Sequence, residues 1–289
     1  MLPSRLLIFT AFEGTLLESC TESFAGAETA LAEIDRRKIP LILATGKTRA
    51  QLDRLWRKLG HGHPFISENG GGIFIPDAYF NLKIPGLERR SRFLCLPIAK
   101  PHADAVAALG DISAATGVSV VSFHELTTRE ISQNTGLSPR DAEQAKLRDF
   151  DEPFFFAGAS EAAIEAFQVE AARHNATLYN DGHFWRISLG CDLGKSVRAL
   201  VKLYLKAAPR TRLSSVGLGT RAADIPLLKA VDHPILLPPK IGRDAARASD
   251  FGDQTPTEAM LKTLPKVSRA DAPGTEGWET AILALLQRQ

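Results

Sequence analysis

Short runs of consecutive apolar residues alternate along this chain with longer stretches in which apolar positions recur every three or four residues. The runs fall at residues 6–10, 39–45 and 234–237, a further strand is read at 213–218, and the amphipathic stretches fall at 25–38, 48–59, 197–206 and 225–231. A run with no polar face predicts a strand buried on both sides. The wider spacing, as in Leu52, Leu55 and Leu59, predicts a helix with one apolar face. Strand and helix in alternation predict βαβ units on a parallel sheet, with residues 6–10 as its central strand. Residues 65–66 lead into Ser67-Glu68-Asn69-Gly70-Gly71-Gly72, a glycine turn that opens a short strand and so predicts one arm of a hairpin.

The pattern changes near residues 82–92, where Pro85-Gly86 and a basic cluster mark the crossing into another module. Strands are predicted at 93–98, 118–123, 153–157, 177–179 and 184–189, with helices at 101–116, 138–147 and 160–174. This mixture predicts an α+β layer with helices on one face of an antiparallel sheet. The chain therefore divides into core residues 1–84, an inserted cap at 85–188 and a second core part at 189–289. Residues 242–271 are polar, lack periodicity and read as a loose surface segment, and 278–286 close the chain as an amphipathic helix.

Composition narrows the function classes. With 289 residues, 44% hydrophobic and 24% charged, the chain has the profile of a soluble globular protein with a sizeable core. The net charge of +2, from scattered Lys and Arg, argues neither for nor against a polyanion partner; neither nucleic acid nor a membrane is expected as a partner. Cys20, Cys95 and Cys191 are far apart and point to reduced thiols and a cytoplasmic setting. No apolar stretch approaches the roughly 20 residues of a membrane span, and no signal peptide is read at the N-terminus.

Four loops are predicted to meet at one edge of the sheet: residues 11–15, 45–49, 194–196 and 219–224. Together they offer backbone N–H groups, a hydroxyl, a lysine and a carboxylate. Such a set suits a phosphate, because N–H groups at helix starts attract an anion and Lys195 adds positive charge.

These segments carry a resemblance. Ile8-Phe9-Thr10 with Gly14-Thr15-Leu16-Leu17, then Thr45-Gly46-Lys47-Thr48-Arg49, then Asp192-Leu193-Gly194-Lys195, then Gly217-Leu218-Gly219 with Asp224-Ile225-Pro226 match, in order, the four motifs of the haloacid-dehalogenase (HAD) superfamily of phosphatases. The segment from Pro64 to Gly71, Thr135-Gly136-Leu137-Ser138, Asp149-Phe150-Asp151-Glu152-Pro153 and Pro273-Gly274-Thr275-Glu276-Gly277-Trp278 resemble features of the mannosyl-3-phosphoglycerate phosphatase subfamily. The resemblance runs almost end to end. It implies a Rossmann-like α/β core with an inserted α+β cap. It also implies Mg²⁺ as cofactor and a phosphorylated sugar or sugar acid as ligand.

In that family the first motif reads D-x-D-G-T. Its first Asp attacks phosphorus, and its second Asp is the acid/base. The second-motif hydroxyl and the third-motif lysine hold the phosphoryl oxygens. The resemblance thus puts Ala11 at the nucleophile position, Glu13 at the acid/base, and Thr45 and Lys195 at the phosphoryl group. It places Gly14, Thr15, Lys47, Asn69 and Gly70 around the substrate. Arg148, His183 and Arg186 come from the cap, where they hold the glycerate or sugar or else form a solvated helix end and an exposed strand. Mg²⁺ falls to Asp224, Thr220 and the backbone carbonyl of Glu13.

The departures decide the chemistry. A methyl group at position 11 cannot attack phosphorus, so the covalent route is closed there. Ala11 and Thr220 supply no carboxylate to Mg²⁺, a hard cation that needs well-placed oxygen ligands, so its binding here is doubtful. Two readings follow. In the first, the protein is a catalytically impaired relative that keeps a phosphate or sugar-acid pocket, or binds a protein partner, in a sensing or scaffolding role. In the second, it is an active phosphohydrolase in which Glu13 and Asp224 serve a sugar phosphate.

Overall fold

The computed structural model describes residues 4–17, 23–60, 62–180, 184–239, 256–264 and 266–287. In chain order the elements are β1 (Ser4–Ala11), α1 (Glu28–Arg36), β2 (Leu41–Ala44), α2 (Arg49–Lys58), β3 (Phe65–Ser67), β4 (Gly72–Pro76), β5 (Glu88–Arg90) and β6 (Phe93–Pro97). There follow α3 (His102–Thr116), β7 (Val120–Ser122), α4 (Thr128–Thr135), α5 (Pro139–Lys146), β8 (Asp151–Phe156), α6 (Glu161–Arg173), β9 (Thr177–Asn180) and β10 (Trp185–Ser188). The chain ends with α7 (Leu193–Ala207), β11 (Arg212–Gly219), α8 (Ile225–Leu228), β12 (His233–Leu236), α9 (Glu258–Lys262), β13 (Ser268–Arg269) and α10 (Gly274–Gln287).

A nine-stranded sheet runs in the order β13-β12-β11-β1-β2-β3-β4-β6-β5. It is parallel from β13 to β3 and antiparallel from β3 to β5. Successive residues of β1 face opposite sides, as the strand period of two requires. Leu6 and Ile8 join Ala30, Ile34, Trp278 and Ile282 in one cluster, while Leu7 and Phe9 join Val197, Leu200 and Leu227 in the other. Both faces of β1 are thus covered, which explains its unbroken apolar run. Each fully buried large side chain contributes roughly 1.5–3 kcal/mol.

Register places the site. Ala11 lies beside Ala44, Thr10 beside Leu218, and Gly219 beside Leu236, so β1, β2, β11 and β12 end together. Loops leave the carboxyl ends of these strands, where doubly wound sheets place ligands.

A second, four-stranded antiparallel sheet has the order β7-β8-β10-β9. Helices α3 and α6 pack on it through Leu109, Ile112, Phe167 and Ala171 against Phe154 and Ile187. The strand at residues 93–97, expected in the insertion, instead pairs with β4 and extends the large sheet. Helix α4 was not expected from the sequence; its Thr127 capping box starts it and Gly136 in the left-handed region ends it. The polar stretch 242–271 is less loose than expected where it is described, since α9 and β13 lie within it and β13 pairs with β12. No helix among the described residues is long and apolar enough to cross a membrane.

Candidate functional site

The turn after β1 is built from its own polar groups. The Thr15 hydroxyl donates to the carbonyl of Ala11 and also lies 3.3 Å from that of Phe12. Gly14 N–H donates to the Leu17 carbonyl at 3.1 Å and Leu17 N–H to the Phe12 carbonyl at 2.8 Å. Gly14 adopts φ +76°, a left-handed conformation that glycine reaches without strain. Beneath the turn, the Trp278 indole N–H donates to the Thr10 hydroxyl at 3.1 Å, and that hydroxyl donates to the Ala11 carbonyl at 2.8 Å. Ala11 is buried at the end of the strand.

Glu13 is the centre of the polar groups at the carboxyl ends of β1, β2 and β11, and is buried there. The Thr45 hydroxyl lies 2.8 and 2.9 Å from its two carboxylate oxygens. Lys47 Nζ and an Arg221 guanidinium nitrogen each stand 3.7 Å from it, on opposite oxygens. A hydroxyl and two cations, drawn from the loops after β2 and β11, therefore surround one buried anion. The β2 loop is fixed in turn: Thr45 Oγ1 accepts from Lys47 N–H at 3.0 Å, Thr45 C=O from Asn69 N–H at 3.0 Å, and Lys47 C=O from Glu68 N–H at 3.2 Å.

The loop after β11 turns on Asp224. One of its oxygens accepts the N–H groups of Thr220 and Arg221, each at 2.9 Å, and burial pushes its carboxyl above the ordinary carboxylate range. The Thr220 hydroxyl donates to the Leu237 carbonyl at 3.1 Å, and its methyl is what a side chain at Gly14 would meet. This donor set does not fit Mg²⁺. Ala11 and Thr220 offer no carboxylate, an Asp224 oxygen is engaged by its own loop, and a divalent ion beside Glu13 would meet Lys47 and Arg221. Among the described residues no three His, Cys, Asp or Glu side chains cluster to hold a metal.

Lys195 stands exposed in the first turn of α7. Helix α7 starts at Leu193, four residues earlier than its predicted apolar stretch. Helical spacing then turns Leu193, Ser196, Val197 and Leu200 inward and leaves Lys195 exposed, on the face it shares with Arg198 and Lys202. The start of α7 rests on Gly70, whose missing side chain lets the Asp192–Leu193 backbone approach; a Cβ there would stand 2.4 Å from it. Ser196 donates to the Gly70 carbonyl at 2.8 Å. Gly70 is thus a packing contact, and Asn69 sits over Gly46, 3.2 Å from where a Cβ at that glycine would be.

Arg148 and Arg186 are buried and bind protein. Arg148 Nε donates to Asp151 at 2.6 Å, and another of its nitrogens donates to the Gly46 carbonyl at 3.1 Å. Arg186 donates to the same carbonyl at 3.2 Å and lies 3.4 Å from Asp151. His183 falls outside the described residues.

Glu68 went unrecognised in the sequence. It is fully buried and accepts the N–H groups of Asp149, Phe150 and Asp151 at 2.8–3.2 Å, with Arg148 at 3.7 Å. Burial raises its carboxyl to about 7, against the pull of Arg148 and the N–H donors. The only hint was an acid placed directly after an apolar strand. Further contacts join the same two parts of the chain: Thr48 donates to the Gln144 carbonyl at 2.9 Å, and Arg49 pairs with Asp149 at 3.5 Å.

Comparison with known proteins places this architecture. The chain is 34% identical over 281 residues to a glucosyl-3-phosphoglycerate/mannosyl-3-phosphoglycerate phosphatase of Methanococcoides burtonii, covering 97% of each chain. It is 30% identical over 284 residues to the protein of the same description from Persephonella marina, again covering 97% of each. Among solved structures, a haloacid dehalogenase-like hydrolase from Bacteroides thetaiotaomicron superposes with a TM-score of 0.63 at 14% identity, over 98% of this chain and 100% of its own. No family model matches the chain.

Proposed function

The chain belongs to the haloacid-dehalogenase-like family of glucosyl-3-phosphoglycerate/mannosyl-3-phosphoglycerate phosphatases, and we propose that within it this protein binds a phosphorylated sugar acid without aspartyl-phosphate turnover. One observation carries the reading. Where the family's attacking carboxylate would stand there is a buried methyl group, Ala11, while Thr45, Lys47 and Arg221 still converge on an anion beside it. The hydroxyl and the two cations would bind the phosphoryl group. With no nucleophile at position 11, no covalent intermediate forms and the bound ester stays intact. The two relatives are described as acting on glucosyl- and mannosyl-3-phosphoglycerate, and those compounds are the ligands of choice. A cytoplasmic sensing role accords with this reading.

The alternative is hydrolysis through Glu13 and Asp224. It would require Glu13 to leave Thr45 and activate water, and Asp224 to serve the reaction while an oxygen of it closes its own loop.

Phosphate release from mannosyl- and glucosyl-3-phosphoglycerate, with and without Mg²⁺, tests the proposal alongside ligand-induced thermal stabilisation. Stabilisation without Mg²⁺ and no phosphate release above the blank are expected. Sustained Mg²⁺-dependent turnover would overturn it.

A further inference from the structure

The anion held by Thr45, Lys47 and Arg221 is the protein's own. We propose that the Glu13 carboxylate is a tethered occupant of the phosphoryl position, so that a ligand enters only by displacing it. The inference rests on the reading of these groups as a site for phosphorylated sugar acids and goes on to say what controls its occupancy.

The geometry has three parts. First, the groups that surround Glu13 are those that would bind an external phosphate: a hydroxyl within hydrogen-bond distance of both oxygens, and a cation on each side. Second, the backbone that carries Glu13 is held by the hydrogen bonds of its turn, so freeing the site is a matter of side-chain rotation and not of loop movement. A carboxylate tethered this way competes as an intramolecular ligand, at an effective concentration of roughly millimolar or more. Third, Glu13 places a negative charge between two cations, 3.7 Å from each, and an incoming phosphoryl dianion would take over that role.

Such a gate selects by charge and by the number of contacts. A ligand carboxylate offers the site no more than Glu13 already supplies. A phosphoryl dianion brings an extra charge and a third oxygen, so it can displace Glu13 where a carboxylate cannot. The proposal therefore assigns Glu13 a specificity role for phosphate monoesters over carboxylates of similar size.

Calorimetric titration with inorganic phosphate, at fixed ionic strength and without Mg²⁺, tests it on the full chain and on the variants Glu13→Ala and Glu13→Gln. Glu13→Ala should tighten phosphate binding by at least about tenfold, because the competing anion is gone. Glu13→Gln, which keeps the shape and removes the charge, should show a smaller gain in the same direction. Adding Lys47→Ala to Glu13→Ala should erase the gain. Unchanged or weaker phosphate binding in both single variants would overturn the proposal, and Glu13→Gln, being isosteric, guards against a loss that merely reflects misfolding.

The same titrations with mannosyl-3-phosphoglycerate separate this inference from the reading beneath it. A phosphate gain in Glu13→Ala, with no binding of the sugar phosphate by any form, sustains the gate and removes the sugar-acid ligand. Sugar phosphate bound by the unaltered chain, with no phosphate gain in either variant, overturns the gate and leaves the ligand.

Discussion

The Thr45 hydroxyl lies 2.8 and 2.9 Å from the two carboxylate oxygens of Glu13, joining the ends of neighbouring strands β1 and β2 through one buried polar contact. A shorter Asp at position 13 would carry its carboxylate one methylene less far toward Thr45. The extra methylene therefore helps determine which anion the hydroxyl serves.

That relationship sets what restoration requires. Ala11→Asp alone should give no turnover, because Glu13 still occupies Thr45 and Thr220 still offers no carboxylate. Ala11→Asp, Thr220→Asp and Glu13→Asp together should gain Mg²⁺ binding and phosphate release from mannosyl-3-phosphoglycerate above the blank, where the single variant stays at it. Mg²⁺ titration and phosphate release measure both. If the triple variant gains neither, the obstacle is not confined to these three side chains.

Glu68 should make stability depend on pH. Its folded carboxyl is raised to about 7 from an ordinary value of 4.5. The folded state therefore holds the proton more tightly than the unfolded state. Its contribution is complete below pH 4.5 and is lost as pH rises through 7, by up to about 3 kcal/mol. The melting temperature should fall between pH 5 and 8, and Glu68→Gln should flatten that fall. An equal slope in the two proteins would show that Glu68 is not its source.

Arg148 is the partner whose loss should be felt most. Arg148→Met removes the bonds to Asp151 and the Gly46 carbonyl and leaves Glu68 and Asp151 buried with less compensating charge. Breaking a buried ion pair from one side costs about 3–5 kcal/mol. Urea unfolding should show that loss. A change below about 1 kcal/mol would mean that the cluster is already compensated by Arg186.

At Gly70, φ is +95° and a Cβ would stand 2.4 Å from the backbone where α7 begins. Gly70→Ala should therefore destabilise the fold by roughly 2–5 kcal/mol, combining left-handed strain with an overlap that only movement of α7 can relieve. Gly86→Ala serves as comparison, since Gly86 has φ +76° with nothing within 4 Å of its Cβ position. It should pay the strain alone, and equal losses at the two sites would refute the packing role of Gly70.

The architecture was legible wherever burial writes itself into composition. The unbroken apolar run of β1 exists because helices cover both of its faces, and the recurrence of Leu52 and Leu55 marks the one buried face of α2. What an element pairs with is less visible. Phe93–Pro97 reads as a strand in either sheet, and its hydrogen bonds to β4 decide the matter. For Arg148 and Arg186 nothing local in the sequence reveals that the fold brings Asp151 and the carbonyl of Gly46 to them.

The bond from Trp278 to Thr10 spans 268 positions, and β1 pairs along its length with β11, some two hundred residues downstream. During synthesis the first strand therefore leaves the ribosome long before the partners that complete it. Until β11 and the closing helix emerge, one edge of β1 and the indole's place beneath the turn lack their native neighbours. A nascent chain stalled before residue 278 would carry every residue of the turn at Glu13 without the support that the finished protein places under it.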